Sequence, residues 1–268
     1  YLLIPAFPRP SCARQKGSNA TQEAEVVINP YAVAAEKAGF AAVPGQNSPY
    51  FLLDGWDSPL TEEEEKEAKY LSDQTGRNPV VILAASGMGK TRRLLQLLRT
   101  YKGSFLVHKR ESDESKNAGS SDLGNIGVLL EQVAAKRKDL DADALRTWAD
   151  FGARCVLATR VGVLERLEKQ FGTLTPAQWL LVQLHPELFA GADDVFSEVA
   201  FKVFARCSID SVESVDPRKG YLTVVDEAQG LTNVLKGKLR AHRPSDPEKS
   251  RRSFLSAVIT SSHLQGCS

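Results

Sequence analysis

The sequence has no apolar run approaching the ~20 residues that would span a bilayer, so a transmembrane helix is excluded and a soluble chain is expected. Charge of one sign is missing too: 34 Lys and Arg oppose 33 Asp and Glu, a net charge of +1. No overall field therefore draws the chain to nucleic acid or to an anionic membrane surface, and any basic site must be local. Cysteine is scarce. Cys12, Cys155, Cys207 and Cys267 lie far apart and form neither the CxxC pairs of zinc sites nor a dense disulfide framework, so they read as reduced, structural thiols. "YLLIPAF" lacks the basic start and small-residue cleavage site of a signal peptide, and no internal repeat stands out. The triplet Asn19-Ala20-Thr21 fits a glycosylation acceptor, which matters only in a secreted protein. The chain begins at Tyr1 without methionine and stops soon after its last apolar segment; a truncated piece of a longer protein is the expectation.

What is present is enough apolar material, 42% of 268 residues, for one large core or two modest ones. Residues 1–48 mix prolines and small residues around one short helical run, "YAVAAEKAGF", and read as a tether or the edge of an upstream module. In "TEEEEKEAKYLSDQTG", Thr61 is placed to cap a helix whose glutamate-rich first turn suits the positive end of the helix dipole; the charge run reads as a solvated face. "NPVVILAAS" supplies an unbroken apolar run after Pro79, the pattern of a strand buried on both faces, and hence a parallel sheet. "SFLVH" (104–108) reads as a second strand, "KRESDESKNAGSSD" as a polar loop and "GVLLEQVAAKRK" as a helix. Between 142 and 170, Leu145, Trp148, Gly152, Val156, Val163 and Leu167 recur at helical steps, and that stripe is core. "LTPAQWLLVQLHPELF" predicts a helix capped by Thr175, with Pro176 at its first position and its end near His185. A helix in "DVFSEVAFKVFARC", a strand in "GYLTVVDEAQG" and a third strand in "FLSAVITSSHL" complete an α/β layered pattern.

The chemistry centres on residues 84–91, A-A-S-G-M-G-K-T, which match three of the four fixed positions of G-x-x-x-x-G-K-[ST]; Ala84 stands where the first glycine belongs. Gly87 and Gly89 let successive backbone N–H groups converge on phosphate. Lys90 reaches the β and γ phosphates, Thr91 offers a hydroxyl to Mg²⁺, and the following helix points its positive end at the same place. Ala85, Ser86, Gly87, Met88, Gly89, Lys90, Thr91 and Arg92 are the candidate nucleotide-binding residues. Hydrolysis needs carboxylates as well, and "LTVVDEAQ" supplies Asp226 at a strand's carboxyl end for the metal and Glu227 as general base. Gln229 is a candidate γ-phosphate sensor, as is Thr260 at the tip of the third strand. The basic stretch 236–252 carries Arg240, Arg243, Arg251 and Arg252, one of which can serve as a charge-stabilising finger, and no interleaved aromatics mark it for nucleic acid. The cofactors expected are ATP and Mg²⁺, ATP only because no guanine-reading Asn-Lys-x-Asp occurs.

"GMGKTR", "GSSDL", "LTPAQWLLVQLHP" and "VVDEAQ", in this order, resemble the P-loop NTPase module of Crinkler-type proteins of fungi and oomycetes, related to the STAND signalling ATPases. The resemblance covers residues 49–265. It implies a three-layer α/β/α domain over 49–268 with a parallel central sheet and a helical insertion, 126–207, between the Walker A and Walker B strands. It implies Lys90 and Thr91 as nucleotide and metal residues, Asp226 and Glu227 as the acidic pair, and a nucleotide switch that works through self-association or a downstream effector domain. Host-directed or nuclear localisation would also follow from it. The sequence departs from the family at Ala84 and at "ITSSHLQG", where a glycine-threonine-glycine turn is usual. The competing readings are a P-loop adaptor with little turnover and a DEAx-type helicase, which would need a second RecA-like domain that this length does not supply.

Overall fold

A computed structural model describes residues 59–75, 89–109, 119–186, 194–208, 221–240 and 251–263. The expected tether, the strand after Pro79, residues 84–88 and Arg243 lie outside the described residues. Helix α1 (Glu62–Thr75) opens on a reciprocal cap. The Thr61 N–H donates to Glu64 Oε2 at 2.8 Å, and the Glu64 N–H donates to Thr61 Oγ1 at 3.3 Å. The backbone hydrogen bond from Thr61 holds the Glu64 carboxyl below its ordinary value. The acidic run is not wholly a solvated face: Glu67 pairs with Arg93 at 2.9 Å and Gln96 donates to Glu64 at 2.5 Å, tying α1 to α2 (Lys90–Thr100).

Strand β1 (Gly103–Val107) is buried at every residue, and β2 (Leu222–Asp226) runs parallel to it, with Gly103 opposite Leu222 and Val107 opposite Asp226. Alternation sends Phe105 and Val107 to Leu95, Leu98 and Leu184 on one face. Leu106 joins Leu123, Ile126 and Phe254 on the other. Helices therefore cover both faces, which is why β1 reads as an apolar run rather than as polar-apolar alternation. Its outer edge is closed by α5 (Pro176–Leu184). The fully buried Gln183 accepts from the Phe105 N–H at 2.9 Å and donates to the Gly103 carbonyl at 2.9 Å. Trp179 Nε1 donates to the same carbonyl at 2.8 Å. The amide side chain thus replaces a neighbouring strand and satisfies backbone groups that a buried edge would leave orphaned.

The remaining helices follow their local signals closely. Thr175 and Gln178 form a capping box on α5, with Pro176 at its first position and His185 at its end. Helix α3 (Asp122–Lys136) precedes α4 (Ala142–Phe171), whose 30 residues are capped by the Asp141 carboxylate. Helix α6 (Val195–Arg206) is capped by Asp194, which also accepts from the Ser121 N–H at 2.8 Å and so joins α6 to the start of α3. Two expectations fail here. Helix α3 begins at Asp122 rather than Gly127, and Ser120, Ser121 and Asp122, read as the end of a polar loop, are buried. Asp122 is matched there by the equally buried Arg160 of α4 at 2.8 Å, whose guanidinium also lies 3.9 Å above the Phe196 ring. Such a pair has to be assembled from both helices, because either charge alone in this core would be uncompensated. Burial pushes the Asp122 carboxyl up, against the pull of Arg160.

After β2 come a single helical turn, α7 (Ala228–Leu231), and a short antiparallel pair, β3 (Leu239–Arg240) with β4 (Arg251–Arg252). The expected third strand is instead helix α8 (Phe254–His263). Its buried residues Phe254, Ala257, Val258 and Ser261 recur at helical spacing, a period that the β-branched run Val258-Ile259-Thr260 obscures. The described chain is mixed α/β, mostly helical, with a small parallel two-stranded sheet, and no described helix is long and apolar enough to cross a membrane.

Candidate functional site

The parallel pairing of β1 and β2 sends both carboxyl ends to one side of the sheet, and the N-terminus of α2 meets them there. Gly89, at that N-terminus, adopts φ 75° and ψ 20°, a left-handed conformation that glycine enters without the steric cost a Cβ imposes. As a glycine, the N-cap residue itself brings no side-chain cap. Lys90 and Thr91 form its first turn, half-buried, while Arg92 is exposed. The Thr91 hydroxyl donates to Asp226 Oδ2 at 2.8 Å. Asp226 Oδ1 accepts from the Glu227 N–H at 3.0 Å, so both carboxylate oxygens are engaged.

Glu227 follows in an unusual backbone state, φ 52° and ψ 33°, left-handed for a residue with a Cβ. Its side chain is exposed and accepts a hydrogen bond from Gln229 Nε2, and its carbonyl accepts from the Gly230 N–H at 3.0 Å, closing the turn. Strained backbone of this kind persists only where the surroundings hold it, and it clusters at functional sites.

Of the sequence-predicted residues, Gly89, Lys90, Thr91, Asp226, Glu227 and Gln229 gather around this end of the sheet. Ala85, Ser86, Gly87 and Met88 lie outside the described residues. Thr260 does not stand at a strand tip: it sits inside α8, where its hydroxyl accepts from Arg146 Nη2 at 2.9 Å and donates to the Ser256 carbonyl at 2.7 Å. Arg146 also clasps Asp150 and Ser256, and this partly buried network joins α4 to α8. The strand-tip geometry that recommended Thr260 as a sensor is therefore absent. Arg240, Arg251 and Arg252 belong to the β3–β4 pair. Sequence reasoning assigned no role to His108, which directly follows β1 and whose N–H donates to the Asp226 carbonyl at 3.3 Å. Its position after "SFLV" was the available signal.

Thr91 and Asp226 present only oxygen donors, a set suited to Mg²⁺, which is held by one or two carboxylates together with phosphate and water rather than by an all-protein cage. Among the described residues no group of three or more His, Cys, Asp or Glu forms a metal centre. No protein-family model, curated protein or solved structure matches the chain.

Proposed function

We propose that the chain is a P-loop NTPase domain that binds ATP with Mg²⁺ and hydrolyses it slowly, as a nucleotide switch of the Crinkler or STAND type, in a three-layer α/β/α fold. The observation that carries this reading is the 2.8 Å hydrogen bond between Thr91 and Asp226. It joins the last residue of the G-x-G-K-T run to the acidic end of a neighbouring parallel strand, the pair of groups that P-loop enzymes use to hold Mg²⁺. A chance glycine-lysine turn has no reason to meet that carboxylate.

In this reading Thr91 and Asp226 would hold Mg²⁺, which supplies charge compensation for the β and γ phosphates. Lys90 neutralises the same phosphates, and the N-terminus of α2 adds its dipole. Glu227 accepts a proton from the attacking water as its oxygen bonds to the γ phosphorus, and the β–γ bridging bond breaks toward ADP. Gln229, bonded to Glu227, orients that carboxylate.

The test is Mg²⁺-dependent ATP binding and turnover by the purified chain beside Lys90→Ala and Glu227→Gln. Binding and turnover by the wild type, loss of binding in Lys90→Ala, and binding without turnover in Glu227→Gln are expected. A folded wild type that binds no nucleotide defeats the proposal.

A further inference from the structure

The turn after β2 contains a close approach that its sequence does not advertise. Gly230 lies directly against the imidazole of His108: a Cβ built on Gly230 would fall 2.7 Å from the ring's Cε1 and 2.8 Å from its Cγ. Real Cβ atoms do not approach so near, so a side chain at 230 and this ring position are mutually exclusive. His108 is anchored through its own backbone, whose N–H bonds the Asp226 carbonyl. His108 therefore links the two ends of the turn, its backbone bonded to Asp226 and its ring against Gly230. Between these points Glu227 holds its left-handed backbone, and the Gly230 N–H returns to the Glu227 carbonyl at 3.0 Å.

We propose that His108 is a positioning residue for hydrolysis, its ring seated on Gly230 so that the strained 227–230 turn aims the Glu227 carboxylate at the phosphate site. The assignment rests on the NTPase reading above. The left-handed state of Glu227 is unfavourable for a side-chain-bearing residue, and a released turn relaxes toward ordinary backbone angles. That relaxation redirects the carboxylate while leaving Lys90, Thr91 and Asp226, the groups that grip the nucleotide, in place. Position errors of about 1 Å at a reacting group cost up to ~100-fold in rate, so turnover is sensitive where affinity is not.

The experiment compares wild type, His108→Ala, His108→Phe and Gly230→Ala in the full chain by Mg²⁺-ATP affinity, kcat, thermal unfolding and the amide resonances of Glu227, Ala228 and Gln229 without nucleotide. Expected are unchanged affinity in every variant, a kcat reduced about 10- to 100-fold in His108→Ala and Gly230→Ala, displaced amide resonances in both, and recovery of most of the rate in His108→Phe, which restores a ring. A His108→Ala protein with wild-type kcat and unmoved resonances overturns the assignment and leaves the NTPase reading intact. A wild type that binds no nucleotide overturns both. Should the alanine variants not fold, His108→Leu, which keeps bulk without a ring, decides: reduced kcat supports the assignment, and wild-type kcat overturns it.

Discussion

The Thr91 hydroxyl and the Asp226 carboxylate meet at 2.8 Å across 135 positions of sequence. Helix α2 brings one and strand β2 the other, and the parallel register with β1 fixes where β2 ends. A hydroxyl bound to a half-buried carboxylate is a hydrogen bond to a charged group, the stronger kind. Thr91→Val is expected to destabilise the free protein by about 1–2 kcal/mol in urea unfolding, and Asp226→Asn to be coupled to it by about 1 kcal/mol in a double-mutant cycle. On the proposed NTPase reading, both substitutions should also weaken ATP binding with Mg²⁺ more than without it.

Gln183 substitutes for a strand along β1, so its removal should cost more than its volume suggests. In Gln183→Leu the Phe105 N–H is left buried with no acceptor, and the expected loss is about 2–3 kcal/mol, read as a lower urea midpoint with an unchanged slope. Gln183→Glu keeps the acceptor for Phe105 but loses the donor to Gly103 and adds a buried charge. An undisturbed midpoint in either variant would refute the strand-substitute role.

The Asp122–Arg160 pair predicts strong non-additivity. Arg160→Met leaves the Asp122 carboxylate without its buried partner and is expected to cost about 3–5 kcal/mol, whereas Asp122→Leu with Arg160→Met should cost far less than the sum of the single changes. Equilibrium unfolding of the three variants measures this directly.

Cys155 and Cys207 should differ sharply toward an alkylating reagent. Burial pushes the Cys155 thiol up from its ordinary 9.0 to about 12, while Cys207 is exposed. Iodoacetamide at pH 8 should label Cys207 and spare Cys155 until the protein unfolds, as mass spectrometry of the peptides will show. The linkage has a definite sign. Unfolded Cys155 releases its proton from about pH 9 upward and the native thiol keeps it to about 12, so this residue's contribution is constant below pH 9 and lost as pH rises between the two values. Cys155→Ala should flatten the fall of stability over that interval.

Where a signal was local, the sequence was sufficient. Thr61 and the Thr175-Pro176 pair start helices because a hydroxyl and a proline act on backbone groups within one turn, and Asp226 ends a strand because the apolar run stops there. The long stripe of α4 is legible for the same reason: many residues repeat one period, and no single neighbour can overrule it. The candidate carboxylates, the lysine and the threonine could accordingly be named from chemistry and spacing alone.

What only the tertiary structure decided depends on partners distant in the chain. Thr260 belongs to a helix because Arg146 and the apolar core claim the two faces of that segment, a choice invisible in a short β-branched run. Ser120 to Asp122 are buried because Arg160 arrives from another helix to compensate the charge. The contacts of Gln183 and His108 likewise exist only once β1 has neighbours: a buried strand edge must find hydrogen-bond partners, and a glycine must admit a ring. Local propensity sets most elements of this protein; burial against distant partners overrides it at α8 and sets which elements meet.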